Sequence, residues 1–143
     1  MTGKLHILKL SVGTESIDDL IDWQKRRSGQ IAKGKYYHVT RMWPKREAEI
    51  VDGGSIYWVI KGVILCRQRI LGMDEIVRQD GIRRCGLVLD PEITRVAATP
   101  KKAFQGWRYL EARDAPEDLP AHRQQEDQLP PDLSKALAMI GVR

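Results

Sequence analysis

The chain has 143 residues, 42% of them hydrophobic and 30% charged; it can bury one core, which excludes a disordered tail and leaves little room for a second domain. No apolar run approaches the roughly 20 residues needed to span a bilayer. Cys66 and Cys85 lack CxxC spacing, and two cysteines alone build neither a disulfide scaffold nor a zinc site, while 24 Lys+Arg against 19 Asp+Glu give a net charge of +5.

Residues 4–12 alternate loosely and predict a first strand. Lys4 and Lys9 interrupt its apolar stretch and no small-residue cleavage site follows, so a cytoplasmic protein is expected. Ser16 and Asp19 stand at capping-box spacing ahead of Ile17, Leu20 and Ile21, which predicts a helix. Lys25, Arg26 and Arg27 would load its last turn, and Gly29 would end it. Tyr36–Met42 is aromatic and β-branched, a second strand closed by Trp43-Pro44.

Asp52-Gly53-Gly54 is a turn, and Ser55–Ile60 with Val63–Leu71 forms a hairpin about Lys61-Gly62. SIYWVI is almost entirely apolar, as a strand buried on both faces would be; VILCRQRIL reads as a strand leaving the core. Arg84–Leu89 is a further strand, ending at Asp90-Pro91, and Ile93–Ala97 continues beyond that corner. Phe104–Leu110 is an aromatic strand bent at Gly106. Residues 112–131 are acidic and carry four prolines, an extended surface segment. Leu133, Ala136, Leu137 and Ile140 fall at i, i+3, i+4, i+7 and predict a helix over 132–143 that docks on the body. The expected fold is a single α+β domain over 1–111: a small, curled, mostly antiparallel sheet or β-barrel with one early helix and a C-terminal helix.

The charge is unevenly placed. Eight basic residues and no acid lie between Lys25 and Arg46, including Lys33, Lys35, Arg41, Lys45 and Arg46. Tyr36, Tyr37, His38 and Trp43 fall in the same window. Flat rings stack bases while cations hold phosphates, so this interleaving points to RNA or another single-stranded nucleic acid, or a nucleotide-sized ligand. Trp107 and Arg108 offer a second ring beside a guanidinium. The expected binding residues are therefore Tyr36, Tyr37, His38, Arg41, Trp43, Lys45, Arg46, Trp107 and Arg108. The competing reading has Trp43 and Trp107 filling the core and the cations merely solvated. Asp52-Gly53-Gly54-Ser55 could present N–H groups to an anion or simply make a tight turn.

The common catalytic signatures, GxSxG, the P-loop, GxGxxG and HExxH, are absent from the sequence. His6, His38 and His122 are far apart, so no metal site and no cofactor are expected. A monomeric, non-catalytic binding module is the leading expectation. An enzyme acting on a nucleoside or modified base, with His38, Thr40, Lys61 or Glu75 around one pocket, is the first alternative. A protein-interaction domain using the acidic segment and the terminal helix is the second.

At HVTRMWPKR, GGSIYWVIKGV, CRQRIL, LVLDPE and FQGWRYL the sequence resembles an uncharacterised bacterial family, a domain of unknown function, over nearly its whole length. That likeness transfers no chemistry. In the order of its elements, through the closing PPDLSKALAMIGV helix, the chain is also similar to the PUA-like superfamily. This superfamily includes the ASCH and EVE domains, small β-barrels associated with RNA or modified-base binding. The ASCH hallmark GxKxxExR is absent, and Lys61-Gly62 does not match it. The resemblance implies a barrel with a nucleotide-sized pocket.

Overall fold

The computed structural model describes residues 5–31 and 36–124. The helix expected over 132–143, and Lys33 and Lys35, lie outside the described residues. Along the chain run β1 (Leu5–Leu10), α1 (Ile17–Ile31), β2 (Tyr36–Thr40), α2 (Glu47–Val51), β3 (Ser55–Ile60), β4 (Val63–Val77), β5 (Arg83–Leu89), β6 (Thr94–Pro100) and β7 (Trp107–Glu111), followed by two short 3-10 turns.

The strands form one mixed sheet in the order β2-β5-β4-β3-β1-β7, with β6 also paired to β4. Among the described residues only β1 and β3 pair in parallel; the other pairings are antiparallel, as the short hairpin connections predict. Lys61 and Gly62 both take positive φ, 51° and 80°, the backbone of a tight hairpin turn matched to strand twist. β4 is much longer than the run Val63–Leu71 suggests. Register shifts where Trp58 and Val59 meet it, and again between Ile70 and Gly72, let its first half pair with β3 and its second half with β5. Such bulges bend a strand and raise its twist.

β3 is buried at every position, as its composition predicts. Ile56, Trp58 and Ile60 face a core shared with Leu5, Ile7, Leu20, Ile50 and Leu87. Tyr57 and Val59 face the opposite cluster with Leu8, Ile64, Val96 and Leu110. α1 is fixed to the first face by a buried amide network. Gln24 and Gln68 exchange hydrogen bonds of 2.6 and 2.8 Å, the Trp58 indole N–H donates to the same Gln68 oxygen at 2.8 Å, and the Gln68 amide also donates to Asp90 C=O at 3.1 Å.

The expected cap of α1 forms: Asp19 N–H donates to Ser16 Oγ at 3.1 Å, and Glu15 N–H to Asp19 Oδ2 at 3.0 Å. The helix continues past Gly29 to Ile31, so Lys25, Arg26 and Arg27 are not in its last turn. One glycine costs about 1 kcal/mol in a helix, less than a packed amphipathic face supplies.

β2 and β7 stand at opposite ends of the sheet order and do not pair with each other. The sheet curls, yet strand pairing does not close it into a barrel. Side chains bridge the gap: the Trp107 indole N–H donates to Met42 C=O at 3.2 Å, Arg46 N–H donates to the Tyr109 hydroxyl at 3.2 Å, and Arg46 lies 3.5 Å from Glu111. The segment after β7 runs back over the second face. Val96 bridges Asp118, Ala97 N–H donates to Glu117 C=O, and Leu119 N–H donates to Arg95 C=O.

Candidate functional site

β1 and β3 pair in parallel with Lys9 level with Trp58, and Trp107 of β7 lies opposite Lys9 on the other side. Beyond Leu10 the chain turns sharply. Ser11 N–H donates to Val59 C=O at 2.9 Å, and the Thr14 hydroxyl reaches Ser11 Oγ at 2.6 Å. α1 then brings Leu20 and Trp23 against this end of the sheet, and β2 adds His38, whose ring meets Trp58 edge-on at 5.2 Å and 88°. Lys9, Ser11, Thr14, Trp23, His38 and Trp58 thus enclose, with Leu10, Val12 and Leu20, a cleft of about 130 Å³.

Among the described residues no acidic one lines this cleft. The Lys9 ammonium makes one long contact, 3.5 Å to Leu10 C=O. Among the described residues it has no ion pair, and burial lowers its pKa below the ordinary lysine value. A partly desolvated cation without a carboxylate is electrostatically incomplete, and an anion restores what water and protein do not supply.

More cations gather at the same end of the sheet. Lys61, at the hairpin turn, lies 3.6 Å from Glu15, and both side chains stay mostly in water. Lys101 N–H donates to Gly62 C=O at 2.8 Å, which places Lys101 and the exposed Lys102 beside that turn.

The residues expected from sequence divide into separate groups. His38 lines the cleft. Tyr36 is half-buried against the first core. Tyr37 faces the other way and donates its hydroxyl to Asp74 at 2.5 Å; that hydrogen bond pushes its pKa up to about 12. Trp43 is half-buried, donating its N–H to Glu47 at 2.7 Å, with the Arg83 guanidinium 4.3 Å from its ring. Arg83 in turn pairs with Glu75. Arg41 and Lys45 are exposed, while Arg46 forks onto Glu49 at 2.6 and 2.8 Å. Trp107 packs toward the first core, and Arg108, on the opposite face of β7, lies over Phe104 at 5.2 Å. Arg46 and Trp107 therefore meet at the gap between the two ends of the curled sheet, Trp43 is held by Glu47 and Arg83, and only His38 joins the cleft.

The other candidate groups are also dispersed. Of the possible catalytic set, His38 is in the cleft, Lys61 pairs with Glu15 and Glu75 pairs with Arg83. Both cysteines are free and buried, and burial pushes each thiol up to about 12, so neither is a thiolate near neutral pH. Among the described residues no group of three or more His, Cys, Asp or Glu could hold a metal ion. Nor is any described helix long and apolar enough to cross a membrane. The Gly54 and Ser55 N–H groups are already used, by Ile50 C=O at 2.7 Å and His6 Nδ1 at 3.0 Å. Sequence reasoning missed Lys9 and Trp23 as cleft residues. Their signal, a lysine inside an apolar strand and a tryptophan on the helix shoulder, was visible without being joined.

His6 offers a test of the fold's electrostatics. Its pKa is lowered by burial first and by the Arg67 guanidinium second, with Asp118 opposing both; Tyr57 meets its ring edge-on at 5.0 Å. The unfolded chain takes up a proton near the ordinary pKa of about 6.5, while the folded chain resists it. Stability is therefore full above about pH 7 and declines as the pH falls below about 6.5, by at most about 1.4 kcal/mol per pH unit for one group. Urea unfolding should show a midpoint falling from pH 7 to pH 5, with a shallower fall in His6→Asn. Identical slopes in the two proteins would contradict this assignment.

Searches among curated proteins and solved structures found no match. A comparison with protein families matches residues 7–143 to one described as a protein of unknown function, DUF1489. The match covers nearly the entire chain, and the protein belongs to the DUF1489 family.

Proposed function

We propose that the protein is a non-catalytic binding module for single-stranded nucleic acid, RNA above all, with one nucleotide unit seated in the Lys9–His38–Trp58 cleft. The observation that carries this reading is the cleft itself, free of acids among the described residues, in which a half-buried ammonium sits beside an imidazole and two indoles. Whole small-molecule ligands occupy pockets of roughly 300–1,000 Å³. A cleft of about 130 Å³ suits a single ring system whose remaining chain extends over the surface. Lys61, Lys101 and Lys102 offer that surface a row of cations for phosphates. The resemblance to the PUA-like superfamily supports the same reading, and a monomer in the cytoplasm is the proposed setting.

The test is a tryptophan-fluorescence titration with short single-stranded RNA across a range of salt. Four lysine–phosphate contacts give log K against log salt a slope of about −3, and Lys9→Met should make it shallower by about 0.7. Absence of binding at low salt, or an unchanged slope in Lys9→Met, would overturn the proposal.

A further inference from the structure

On the opposite face of the sheet, and at the other end of β1, a second polar cluster is assembled from three strands and the segment after β7. Arg67 of β4 grips Asp118 through Nε and Nη2, both at 2.8 Å, and donates from Nη1 to Ser55 Oγ at 3.0 Å. Ser55 N–H donates to His6 Nδ1 at 3.0 Å. That bond places the imidazole proton on Nε2. His6 is 1% exposed, and its Nε2 is buried with no hydrogen-bond partner among the described residues. Donors therefore outnumber acceptors here: one carboxylate faces a guanidinium fork, and a buried N–H is left over.

Asp118 is not part of the sheet's own framework. It belongs to a surface segment joined to β6 by one isolated bridge, by backbone bonds at Glu117 and Leu119, and further on by hydrogen bonds between Gln124 and Arg95. Its side chain is 40% exposed, whereas that of Arg67 is 17% exposed. The fixed half of the pair is the cation, and the exchangeable half is the anion. Glu92 also lies within electrostatic reach of Arg67, so the guanidinium keeps a neighbouring negative charge if Asp118 leaves.

We propose that Arg67, Ser55 and His6 form an anion site for a phosphate monoester, with Asp118 acting as a built-in competitor that a ligand displaces. A carboxylate has two oxygens, and Asp118 spends both on the Arg67 fork. A terminal phosphate has three, which leaves one beyond the fork for the His6 N–H, whose ring lies within electrostatic reach of both Arg67 and Asp118. The site lies apart from the Lys9 cleft, and the two readings stand or fall separately.

The experiment is an NMR titration of the full chain with inorganic phosphate, reading the Arg67 Nε–H and the His6 ring resonances. Asp118→Asn should bind phosphate at least about tenfold more tightly than the unaltered protein, because the competing charge is gone while the backbone bonds of the segment remain. Asp118→Asn combined with Arg67→Met should abolish the response, and Lys9→Met should leave it intact. The unaltered protein gives a reading that needs no variant at this site: raised phosphate should shift Arg67 Nε–H saturably and speed exchange of the Leu119 amide. Equal affinity with and without Asp118, a response surviving Arg67→Met, or shifts confined to Lys9 would each overturn the proposal.

Discussion

Replacing Gln68 by Leu should cost about 4 kcal/mol of folding stability, the largest loss expected from any single side chain outside the apolar core. Its carboxamide accepts from the Trp58 indole and the Gln24 amide, and donates to Gln24 and to Asp90 C=O. Leucine fills similar space but leaves an indole N–H, an amide and a carbonyl unsatisfied, with Gln24 and Gln68 both buried. Each such orphan costs about 1–3 kcal/mol. Partial relaxation of α1, which carries Gln24, keeps the sum below the maximum. Denaturant unfolding of Gln68→Leu, Gln24→Leu and the double variant measures this directly. The double variant should lose less than the two single losses added together, because one replacement already strands the partner of the other. A loss under about 1 kcal/mol for Gln68→Leu would refute the network's role.

Gly54→Ala should be comparably severe, for a steric reason. A Cβ on Gly54 would lie 2.3 Å from both Ile50 C=O and Leu5 C=O, and 3.1 Å from the Ile50 carbonyl carbon. These are backbone atoms, tied into α2 and β1, and cannot swing aside as the end of a side chain does. Gly54 N–H also donates to Ile50 C=O at 2.7 Å, and Ile70 N–H donates to Gly54 C=O at 3.0 Å, so displacing the residue disturbs three elements. The expected loss is about 3 kcal/mol or more, at the upper end for an overpacked site. Gly72→Ala is the control: nothing lies within 4 Å of the added carbon, and the change should stay within about 1 kcal/mol. Similar melting temperatures for the two variants would show that α2 does not press on this turn as described.

Local chemistry was legible in the sequence, and long-range assembly was not. Ser16 and Asp19 announced the start of α1, Lys61-Gly62 announced its hairpin, and the unbroken apolar run of β3 announced a strand covered on both faces. α2 was hidden because five residues, Glu47–Val51, hold too few turns for a periodic pattern to stand out. Asp80-Gly81 is a hairpin signal in its own right. The mixed polarity of Gly72–Val77 concealed it, since this half of β4 runs out from the core beside β5.

The cleft was the least legible feature. Lys9, Trp23, His38 and Trp58 come from four elements, and what unites them is the parallel pairing of β1 with β3 together with the crossing of α1. The basic-aromatic window, by contrast, was visible at once, yet its rings are largely engaged inside the molecule. Trp43 is held between Glu47 and Arg83 and Tyr37 is bonded to Asp74, while Trp107, outside that window, donates across the gap to Met42 C=O. Residue types in a window reveal what chemistry is possible; the curl of the sheet decides which of those groups stay open to solvent.

Chemical-shift mapping of the protein with short single-stranded RNA at low salt addresses that choice most directly. The resonances of Lys9, Thr14, Trp23 and His38 should move together and saturate at one strand per chain, with smaller shifts at Lys61 and Lys101. Shifts confined to Met42–Arg46 and β7, with the Lys9 and His38 signals unmoved, would contradict the assignment of the cleft.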